Sequence, residues 1–580
     1  MTTQEVETWL AAATADGLIL SPGGVQADDD GSFRIAATLS VAGLSISIHI
    51  WLAHDFPKAE PLVIVKDSQL LGRLPHVFRK AGVVCYSTSE GLLLNRQRPE
   101  AVLTWAIEET IRTLEEGLSS NQAVEFMREL EVYWGQLGGI RIVNLFNPAP
   151  ETRTLTSYTT HNGLRWLAET EQEMPRLYRE ASKLSDTVTE KAMYLPLLPG
   201  TVFIPPAPDE RFWTIQQLRE LVRPTLATMP PKRRRQLYKS DRDWNGLLVL
   251  GVPLPGRETH VTLLGIAFKS RRGFHPLGDR GTEFELQPVQ LERSERSYLL
   301  PRGGGRMSLA EKKVLLIGCG AIGGHLSHEL VRAGILHLTL VDADKLTREN
   351  MHRHALGIAG VAEYKAIALR DELQRKYLYA EVTAVTTTIE QALDTQEVNP
   401  KAFDLIITAT GEASLERYLN ERLRAVPGVP PVLYSWLEPY GIGGHALLTW
   451  PQQAGCLECL YTSPNPHAQL ANRALFAAPN QKFSLALSGC GSLHTPYASL
   501  DASQTAILAA RLAVEALTGR QMTSPLWSWK GDAQEFKAAG FKVGPRHKLS
   551  EETLRREATL YITPNCPVCG PTATTVTPHG

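Results

Sequence analysis

Residues 313–342, KVLLIGCGAIGGHLSHELVRAGILHLTLVD, decide the fold of the C-terminal part of the chain. The apolar run Val314–Ile317 predicts a buried strand, and the glycine turn after it predicts a helix that ends at Gly334. A second strand, Leu338–Val341, is followed at once by Asp342. This order of strand, glycine turn, helix and strand is typical of a parallel, doubly wound sheet, so we expect a Rossmann-like α/β domain.

The glycine turn has the spacing of a nucleotide-binding loop. Gly318, Gly320 and Gly323 form a GxGxxG pattern, which lets the backbone approach a nucleotide and leaves N–H groups of the helix free for phosphate. Asp342 lies 19 residues after Gly323, the spacing of an acid that binds a ribose. Up to this point a nicotinamide dehydrogenase fits as well as any other nucleotide-binding enzyme.

The next residues favour ATP. The segment VDADKLTRENMHRH at 341–354 resembles the nucleotide-binding segment of ubiquitin-activating enzymes and of the bacterial sulfur-carrier adenylyltransferases. The resemblance implies that the first acid of the D-x-D pair holds the ATP ribose and that the second belongs to the same nucleotide site. It also implies that an Asn and an Arg contact the phosphates, and that a downstream Lys offsets charge during attack on the α-phosphate. In this sequence these residues are Asp342, Asp344, Asn350, Arg353 and Lys365. A carboxylate and a triphosphate are both anions, so the reaction needs cations placed between them.

The magnesium ligand departs from the family pattern. The family carries an aspartate after the next strand to place Mg²⁺, and this chain has Gly411 at that position. The resemblance still implies Mg²⁺ as a cofactor. Glu412, or one of the aspartates after the second strand, is then the candidate ligand.

Two CxxC pairs predict a metal centre. Cys456 and Cys459 form one pair, Cys566 and Cys569 the other, and four thiolates at this spacing suit a closed structural zinc site. Both pairs also resemble the zinc pairs of the sulfur-carrier adenylyltransferases. Two redox-active pairs are the alternative, although neither is predicted at the strand–helix junction that such motifs occupy.

The N-terminal 135 residues predict a small α+β domain around a further cysteine, Cys85. Alternating apolar residues predict a strand over residues 45–52, and Leu62–Val65 predicts another. Pro99–Glu116 predicts a helix that Gly117 would stop. Together with the G-x-V-C sequence before the thiol, this segment resembles the ubiquitin-conjugating fold, which implies that Cys85 carries an acyl group.

The sequence near Cys85 lacks the His-Pro-Asn triplet of that family and offers Pro75-His76-Val77-Phe78 instead. The asparagine that stabilises the oxyanion therefore has no obvious counterpart, and His76 is the candidate substitute. A second unpaired cysteine, Cys490, lies between glycines before an apolar helix. By resemblance to activating enzymes, we expect Cys490 to be the first thioester-forming nucleophile.

The whole chain resembles bacterial fusions of a conjugating and an activating domain, most closely the ancillary conjugating proteins of type II CBASS antiphage operons. We expect a conjugating-like domain over residues 1–135, a linker domain whose fold the sequence does not determine over 136–305, and a ThiF-type adenylation domain over 306–580. The resemblance implies that ATP activates the C-terminal glycine of a carrier, that a thioester passes from Cys490 to Cys85, and that a target lysine receives the acyl group.

The expected carrier is a cGAS-like nucleotidyltransferase, and the alternative is a bacterial ubiquitin-like protein from another operon. A simple sulfur-carrier adenylyltransferase with an inert N-terminal adaptor is a third possibility. By family resemblance we also expect a homodimer.

Composition narrows the class of partner. The 580 residues carry a net charge of −1, which disfavours binding of nucleic acid through bulk positive charge. No stretch is apolar enough to predict a membrane span, and the acidic N-terminus predicts no signal peptide. We therefore expect a cytoplasmic enzyme without a membrane partner.

Overall fold

The computed structural model describes most of the chain, in two compact units. The described residues are 1–67, 70, 74–78, 81–88, 91–119, 121–183, 186–207, 211–238, 245–270, 275–278, 284–463, 470–486 and 493–571. The first unit comprises Met1–Met174 and Ala181–Ser294, and the second comprises Pro175–Glu180 and Glu295–Gly580.

The N-terminal half contains a short sheet, a group of helices and a barrel. Its helices are α1 (Thr3–Ala15), α2 (Pro99–Leu118), α3 (Gln122–Arg128), α4 (Leu130–Gln136), α5 (Arg176–Ser182), α6 (Ile215–Thr228) and α7 (Pro231–Tyr238). Its strands are β1 (Ser21–Ala27), β2 (Phe33–Val41), β3 (Leu44–Leu52), β4 (Leu62–Val65), β5 (Ile140–Asn144), β6 (Arg153–Thr159), β7 (Arg165–Ala168), β8 (Val188–Pro196), β9 (Asn245–Leu254), β10 (Arg257–Ser270) and β11 (Phe284–Arg293).

The strands β1 to β4 form an antiparallel meander that α1 and α2 cover. Every second side chain of β3 is buried from Ile46 to Leu52, because alternate residues of a strand face the core. The strands predicted at residues 45–52 and 62–65 are thereby confirmed. This core supports the loop that carries Cys85.

The helix stop predicted at Gly117 is wrong, because α2 continues to Leu118. Gly117 is buried against the ring of Pro75, and a Cβ at this position would lie 3.1 Å from Pro75 Cδ. The glycine therefore provides close packing between the helix and the loop that contains His76, rather than a helix end.

In the described part of the middle segment, strands β5 to β11 close into a barrel, in the order β10-β11-β5-β7-β6-β8-β9. Trp134 of α4 is buried against this barrel, and its Nε1 donates to the carbonyls of Gly265 (3.3 Å) and Val289 (3.1 Å). The barrel thus fixes the helices that follow α2. The sequence has strand-like segments at 246–252 and 260–268, but no local pattern predicts their closure into a barrel.

The second unit is an α/β domain. Its helices are α8 (Arg296–Arg302), α9 (Ala321–Ala333), α10 (Lys365–Lys376), α11 (Ile389–Asp394), α12 (Ala413–Arg424), α13 (Ser499–Leu517), α14 (Gln534–Ala538) and α15 (Glu551–Arg556). Its strands are β12 (Lys313–Ile317), β13 (His337–Val341), β14 (Glu381–Val385), β15 (Leu405–Thr408), β16 (Val432–Leu437), β17 (Gly443–Thr449), β18 (Leu485–Ala486), β19 (Leu493–His494) and β20 (Leu526–Lys530).

The main sheet of this unit has the strand order β14-β13-β12-β15-β16-β17-β20. The parallel doubly wound arrangement is confirmed from β14 to β16, and helices cover both faces. The sheet is not parallel throughout, because β17 and β20 are added in antiparallel pairings. The short 3-10 turn Pro439–Gly441 joins β16 to β17, and such a connection is too short for a parallel crossover.

The glycine turn lies at the carboxyl end of the central strand β12, and α9 ends at Gly334 as predicted, with a left-handed φ of 112°. Ligands of doubly wound sheets bind at this edge, where the strand order reverses. Among the helices that the structure describes, none has the length and hydrophobicity to cross a bilayer.

Candidate active sites and metal centre

The glycine turn has two positions at which no side chain would fit. Gly318 has a φ of 89°, and a Cβ there would lie 2.7 Å from the carbonyl oxygen of Ala409. A Cβ on Gly323 would lie 1.9 Å from the carbonyl oxygen of Gly318. Around Gly320, in contrast, nothing lies within 4 Å of that position. The first and third glycines therefore let the strand and helix pack, and the second leaves space beside the N-terminus of α9.

Asp342 joins the turn to the loop after β13. One carboxylate oxygen, Oδ2, accepts from the backbone N–H of Cys319 at 2.7 Å, and Oδ1 accepts from that of Asp344 at 2.8 Å. Each carboxylate oxygen has a second lone pair, so the group can still accept from the hydroxyls of a ribose.

The polar residues predicted from the family segment meet around one cavity. Arg353 donates to Oδ1 of Asn350 at 3.0 Å, and Nδ2 of Asn350 donates to Thr347 Oγ1 at 2.8 Å. Lys365 forms an ion pair with Asp344 at 2.8 Å, and its side chain is only 12% exposed. The structure therefore brings Asp344, Asn350, Arg353 and Lys365 together beside the glycine turn.

The cavity has a volume of about 740 Å³, within the usual range for small-molecule sites. Its lining includes the polar group Gly320, Asn350, Arg353 and Lys365, and also Thr410, Glu416, Trp436 and Tyr497. The Arg353 guanidinium lies 5.2 Å from the centre of the Tyr497 ring. A helix N-terminus, two cations and an aromatic surface in one cavity fit the phosphates and the base of a nucleotide such as ATP.

The two acids that follow Gly411, Glu412 and Glu416, differ in their exposure, and neither stands at the position of the missing aspartate. Gly411 has a φ of 73°, and Glu412 is exposed at the start of α12. Glu416 lies in the cavity wall, where its Oε1 accepts from Thr408 Oγ1 (3.3 Å) and Thr410 Oγ1 (3.1 Å). Its carboxylate therefore holds the Gly411 loop in place.

Sequence reasoning missed Glu416, because an acid on the amphipathic helix α12 normally faces solvent. Here the side chain is buried, and burial raises the pKa of Glu416 to about 7. Two threonine hydroxyls just before α12, those of Thr408 at the end of β15 and of Thr410, are the feature of the sequence that could have indicated a buried acceptor.

The four paired cysteines form one cluster. Their Sγ atoms all lie within 4.8 Å of one another, with Cys456–Cys566 at 3.6 Å and Cys459–Cys569 at 3.3 Å. Both separations are too long for disulfides, and a tetrahedral zinc–thiolate site would place its sulfurs about 3.8 Å apart. The donor set and its burial therefore fit a structural Zn²⁺ ion without an open position.

The cysteine cluster is connected to the cavity wall. Glu458, between the first two cysteines, accepts two hydrogen bonds from Arg417, at 2.7 and 2.8 Å. Arg417 lies on α12 next to Glu416, and both residues line the cavity. The geometry of the cluster thus constrains the helix that carries part of the cavity.

In the first unit, Cys85 is exposed at the end of a loop that follows β4. Its backbone N–H donates to the carbonyl of His76 at 2.7 Å, and its Sγ lies 3.8 Å from the carbonyl oxygen of Ser87. Partial burial, with the charges of Glu129 and Glu60, raises the pKa of the Cys85 thiol. An attack by this sulfur therefore needs a group that takes up its proton.

His76 has a left-handed φ of 63° and lies between two carboxylates. Its Nδ1 is 3.2 Å from Glu129 Oε1, and its Nε2 is 3.5 Å from Glu125 Oε2. The hydrogen bond with Glu129 raises the pKa of His76 despite the desolvation of the ring. The sequence had singled out His76, but not the two glutamates, which lie about 50 residues further along the chain.

The two remaining cysteines differ in what the structure describes. Cys319 is buried within the glycine turn, where burial raises the pKa of its thiol well above the ordinary value. Cys490 lies outside the described residues, so its assignment as a nucleophile stays a prediction.

Comparison with known families matches both parts of the chain. Residues 295–548 match the ThiF family, and residues 13–139 match the prokaryotic E2 family B.

Some curated relatives are named as ubiquitin transferase-like proteins and others as adenylyltransferases. The ATP-dependent ubiquitin transferase-like protein Cap2 of Pseudomonas aeruginosa is 29% identical over 304 residues, which cover 50% of this chain and 53% of the relative. Cap2 of Vibrio cholerae is 25% identical over 304 residues, which cover 50% of this chain and 47% of the relative. The sulfur carrier protein adenylyltransferase of Thermus thermophilus is 28% identical over 185 residues, covering 30% of this chain and 66% of the relative. The chain thus spans about half or less of the length of the Cap2 relatives that it matches.

Among solved structures, the chain is similar to E. coli MccB in complex with ATP, with 19% identity and a TM-score of 0.32. That match covers 45% of this chain and 67% of the MccB chain.

Replacement of Cys456 by serine is expected to remove the metal, because a serine cannot supply the fourth thiolate. We expect about one zinc ion per chain in the wild type and almost none in Cys456→Ser, together with a lower melting temperature. Metal analysis by mass spectrometry measures the zinc content, and calorimetry measures the melting temperature. Cys85→Ser, which alters an exposed thiol in the other unit, is the control and should keep its zinc. Full zinc content in Cys456→Ser would contradict the assignment.

Replacement of Glu416 by glutamine is expected to change how stability depends on pH. Burial raises the folded-state pKa from 4.5 to about 7, so the contribution of Glu416 to the free energy of unfolding is complete below pH 4.5 and is lost as the pH rises through 7. Relative to the wild type, Glu416→Gln should therefore gain stability from pH 4.5 to pH 8, by roughly 3 kcal/mol at most.

Thermal unfolding of both proteins across this pH range measures the difference. Glu412→Gln, at the exposed neighbouring acid, is the control and should follow the wild type. Parallel pH curves for wild type and Glu416→Gln would show that Glu416 does not titrate in this range.

Proposed function

We propose that this chain, whose residues 13–139 form a prokaryotic E2 family B domain and whose residues 295–548 form a ThiF-family domain, activates and conjugates a carrier protein. The observation that carries the proposal is one chain with both an exposed cysteine in an E2-family domain and a cavity of the adenylation type in a ThiF-family domain. A sulfur-carrier adenylyltransferase needs only the second of these, so the E2-family domain disfavours that alternative.

The first step takes place in the cavity beside the glycine turn. The C-terminal carboxylate of the carrier attacks the α-phosphorus of ATP, which gives an acyl adenylate and releases pyrophosphate. Arg353 and Lys365 offset the negative charge that accumulates, and the N–H groups of α9 bind phosphate oxygens. Mg²⁺, when bound, would neutralise further phosphate charge. Glu412 and the Asp342–Asp344 pair remain its candidate ligands in this proposal.

The later steps transfer the acyl group between sulfurs. Cys490 displaces AMP to form a thioester, and Cys85 then takes the acyl group by exchange of one thioester for another. A lysine amine of the target finally attacks the Cys85 thioester, which yields an isopeptide and the free thiol. The thioesters conserve the energy of activation and divide a difficult acyl transfer into easier steps.

The resemblance to CBASS ancillary proteins supports a cGAS-like nucleotidyltransferase with a C-terminal glycine as the carrier, in a cytoplasmic antiphage response. Relatives named as Cap2 ubiquitin transferase-like proteins favour conjugation over sulfur transfer. The same resemblance supports a homodimer. We propose that the zinc ion is structural, since its four thiolate donors leave no open position.

Arg353→Ala is expected to weaken ATP binding about tenfold, because one charge-assisted phosphate contact is lost. Isothermal titration with ATP measures the affinity without a carrier. Arg348→Ala removes the same charge from an exposed position five residues earlier and is the matched control. Equal ATP affinity for Arg353→Ala and the wild type would exclude Arg353 from the phosphate site.

Cys85→Ser and Cys490→Ser are expected to trap the carrier as an oxyester, because a serine ester is more stable than a thioester. Both variants would be purified from cells that express the neighbouring genes and then analysed by intact mass spectrometry. A covalently attached polypeptide that ends in glycine is the expected result, and its mass distinguishes a nucleotidyltransferase from a small ubiquitin-like protein.

Absence of an adduct on both variants, while the wild type still converts ATP to AMP, would overturn the relay and favour a simple adenylyltransferase. Cys319→Ser, at a buried thiol of the glycine turn, is the comparison that should show no adduct on the introduced serine.

A further inference from the structure

The helices that follow α2 contribute polar groups to the Cys85 site. Glu129 lies at the junction between α3 and α4, and its neighbours Met127 and Leu130 are fully buried. One turn later, Trp134 is anchored to two carbonyls of the barrel. The backbone of Glu129 is therefore fixed from both ends, although its side chain remains 30% exposed.

Two contacts orient the Glu129 carboxylate. Its Oε1 is 3.2 Å from His76 Nδ1, and its Oε2 accepts from the Tyr133 hydroxyl at 3.4 Å. The same hydroxyl accepts a hydrogen bond from the backbone N–H of His76. Burial raises the pKa of Tyr133 far above its ordinary value, so the hydroxyl stays protonated and can donate. These contacts leave acceptor positions of the carboxylate available for another donor.

His76 lies beside this carboxylate, and its pKa is raised by the hydrogen bond with Glu129. Its two ring nitrogens face Glu129 and Glu125, an arrangement that favours the imidazolium form. Glu125 also forms an ion pair with Arg128, in which 2.8 Å separates Glu125 Oε1 from Arg128 Nη1. A carboxylate that two contacts orient in this way is a group that can accept a proton.

The charged network contacts the cysteine loop directly. The carbonyl of His76 accepts from the N–H of Cys85 at 2.7 Å, and the charge of Glu129 acts on the thiol. Negative charge beside Cys85 disfavours its thiolate, so the network is poorly suited to activating sulfur as a nucleophile. It is well suited to a cationic amine that approaches a thioester on that sulfur.

We propose that Glu129 is a catalytic residue of the final step and accepts a proton from the acceptor lysine, while His76 and Tyr133 are positioning residues. This inference rests on the proposed conjugation through Cys85. In the step, the N–C bond forms and the C–S bond breaks. Of the two protons that the ammonium group loses, one passes through Glu129 to solvent and the other ends on the Cys85 sulfur.

Glu60 is the competing base, because its charge also acts on Cys85. Its Oε2 already accepts from the Ser87 hydroxyl. Glu129 combines a cationic partner, a fixed backbone and partial exposure, and is therefore the better candidate.

The test loads Cys85 chemically, so that it depends neither on the carrier nor on adenylation. In full-length protein with Cys490→Ser, an N-acetylglycine thioester of a small thiol would acylate Cys85 by exchange, and peptide mapping would verify the site. Intact mass spectrometry then follows loss of the acyl group to free lysine, and separately to hydroxylamine, which is already uncharged at neutral pH. We expect Glu129→Gln to slow transfer to lysine roughly 10²-fold while transfer to hydroxylamine is unchanged.

His76→Asn keeps a residue that tolerates the left-handed backbone and removes the cation, so it should slow transfer to lysine to a smaller extent. Tyr133→Phe should do the same. Glu108→Gln, at an exposed position of α2, is the matched control for loss of one carboxylate and should behave as the parent.

If Glu129→Gln slowed acyl transfer to lysine and to hydroxylamine by the same factor, Glu129 would have a structural role and the proposal would be overturned. A selective loss in Glu60→Gln instead of Glu129→Gln would assign the base to Glu60. If the parent protein transfers the acyl group to lysine no faster than a thioester of N-acetylcysteine does, the proposed conjugating function itself fails.

Discussion

The second unit depends on the contact between the Gly318 carbonyl and Gly323. That contact lets α9 begin directly at the end of the central strand, and any side chain at Gly323 would separate the two elements. The Asp342 carboxylate then ties the same turn to the loop of the neighbouring strand. Because the turn and this loop are fixed together, the cations that follow in sequence line the same cavity as the turn. The chemistry of the cavity is thus a consequence of backbone packing at its edge.

The sequence predicted this unit well because its determinants are local. The glycine turn, the acid at the end of β13 and the 341–354 segment lie within about 40 residues, and each motif carries its own geometric reason. The antiparallel edge of the sheet was not predicted, since only the length of the Pro439–Gly441 connection determines it. Glu416 was missed for a related reason: its burial results from the packing of α12, which the pattern of its own helix does not reveal.

The Cys85 site shows where sequence reasoning stops. The thiol and His76 belong to one loop and were identified together, whereas Glu125, Glu129 and Tyr133 come from helices that a barrel holds against that loop. The barrel strands are distant in sequence and pair in an order that no local motif specifies. The family triplet that the loop lacks directs attention to the loop itself, but in this chain the carboxylates and the tyrosine hydroxyl around His76 come from elsewhere.

The cysteine cluster has a thermodynamic consequence for the C-terminal segment. Cys456 and Cys566 are 110 positions apart, so an ion that joins them closes a long loop and restricts the unfolded ensemble. An ion that binds only the folded cluster also shifts the folding equilibrium by mass action, in proportion to the logarithm of the free metal concentration. Since Arg417 connects the cluster to α12, the free energy of binding a metal ion there would be linked to the order of the cavity wall. Metal availability and thiol oxidation would then set the fraction of chains with a fully formed cavity.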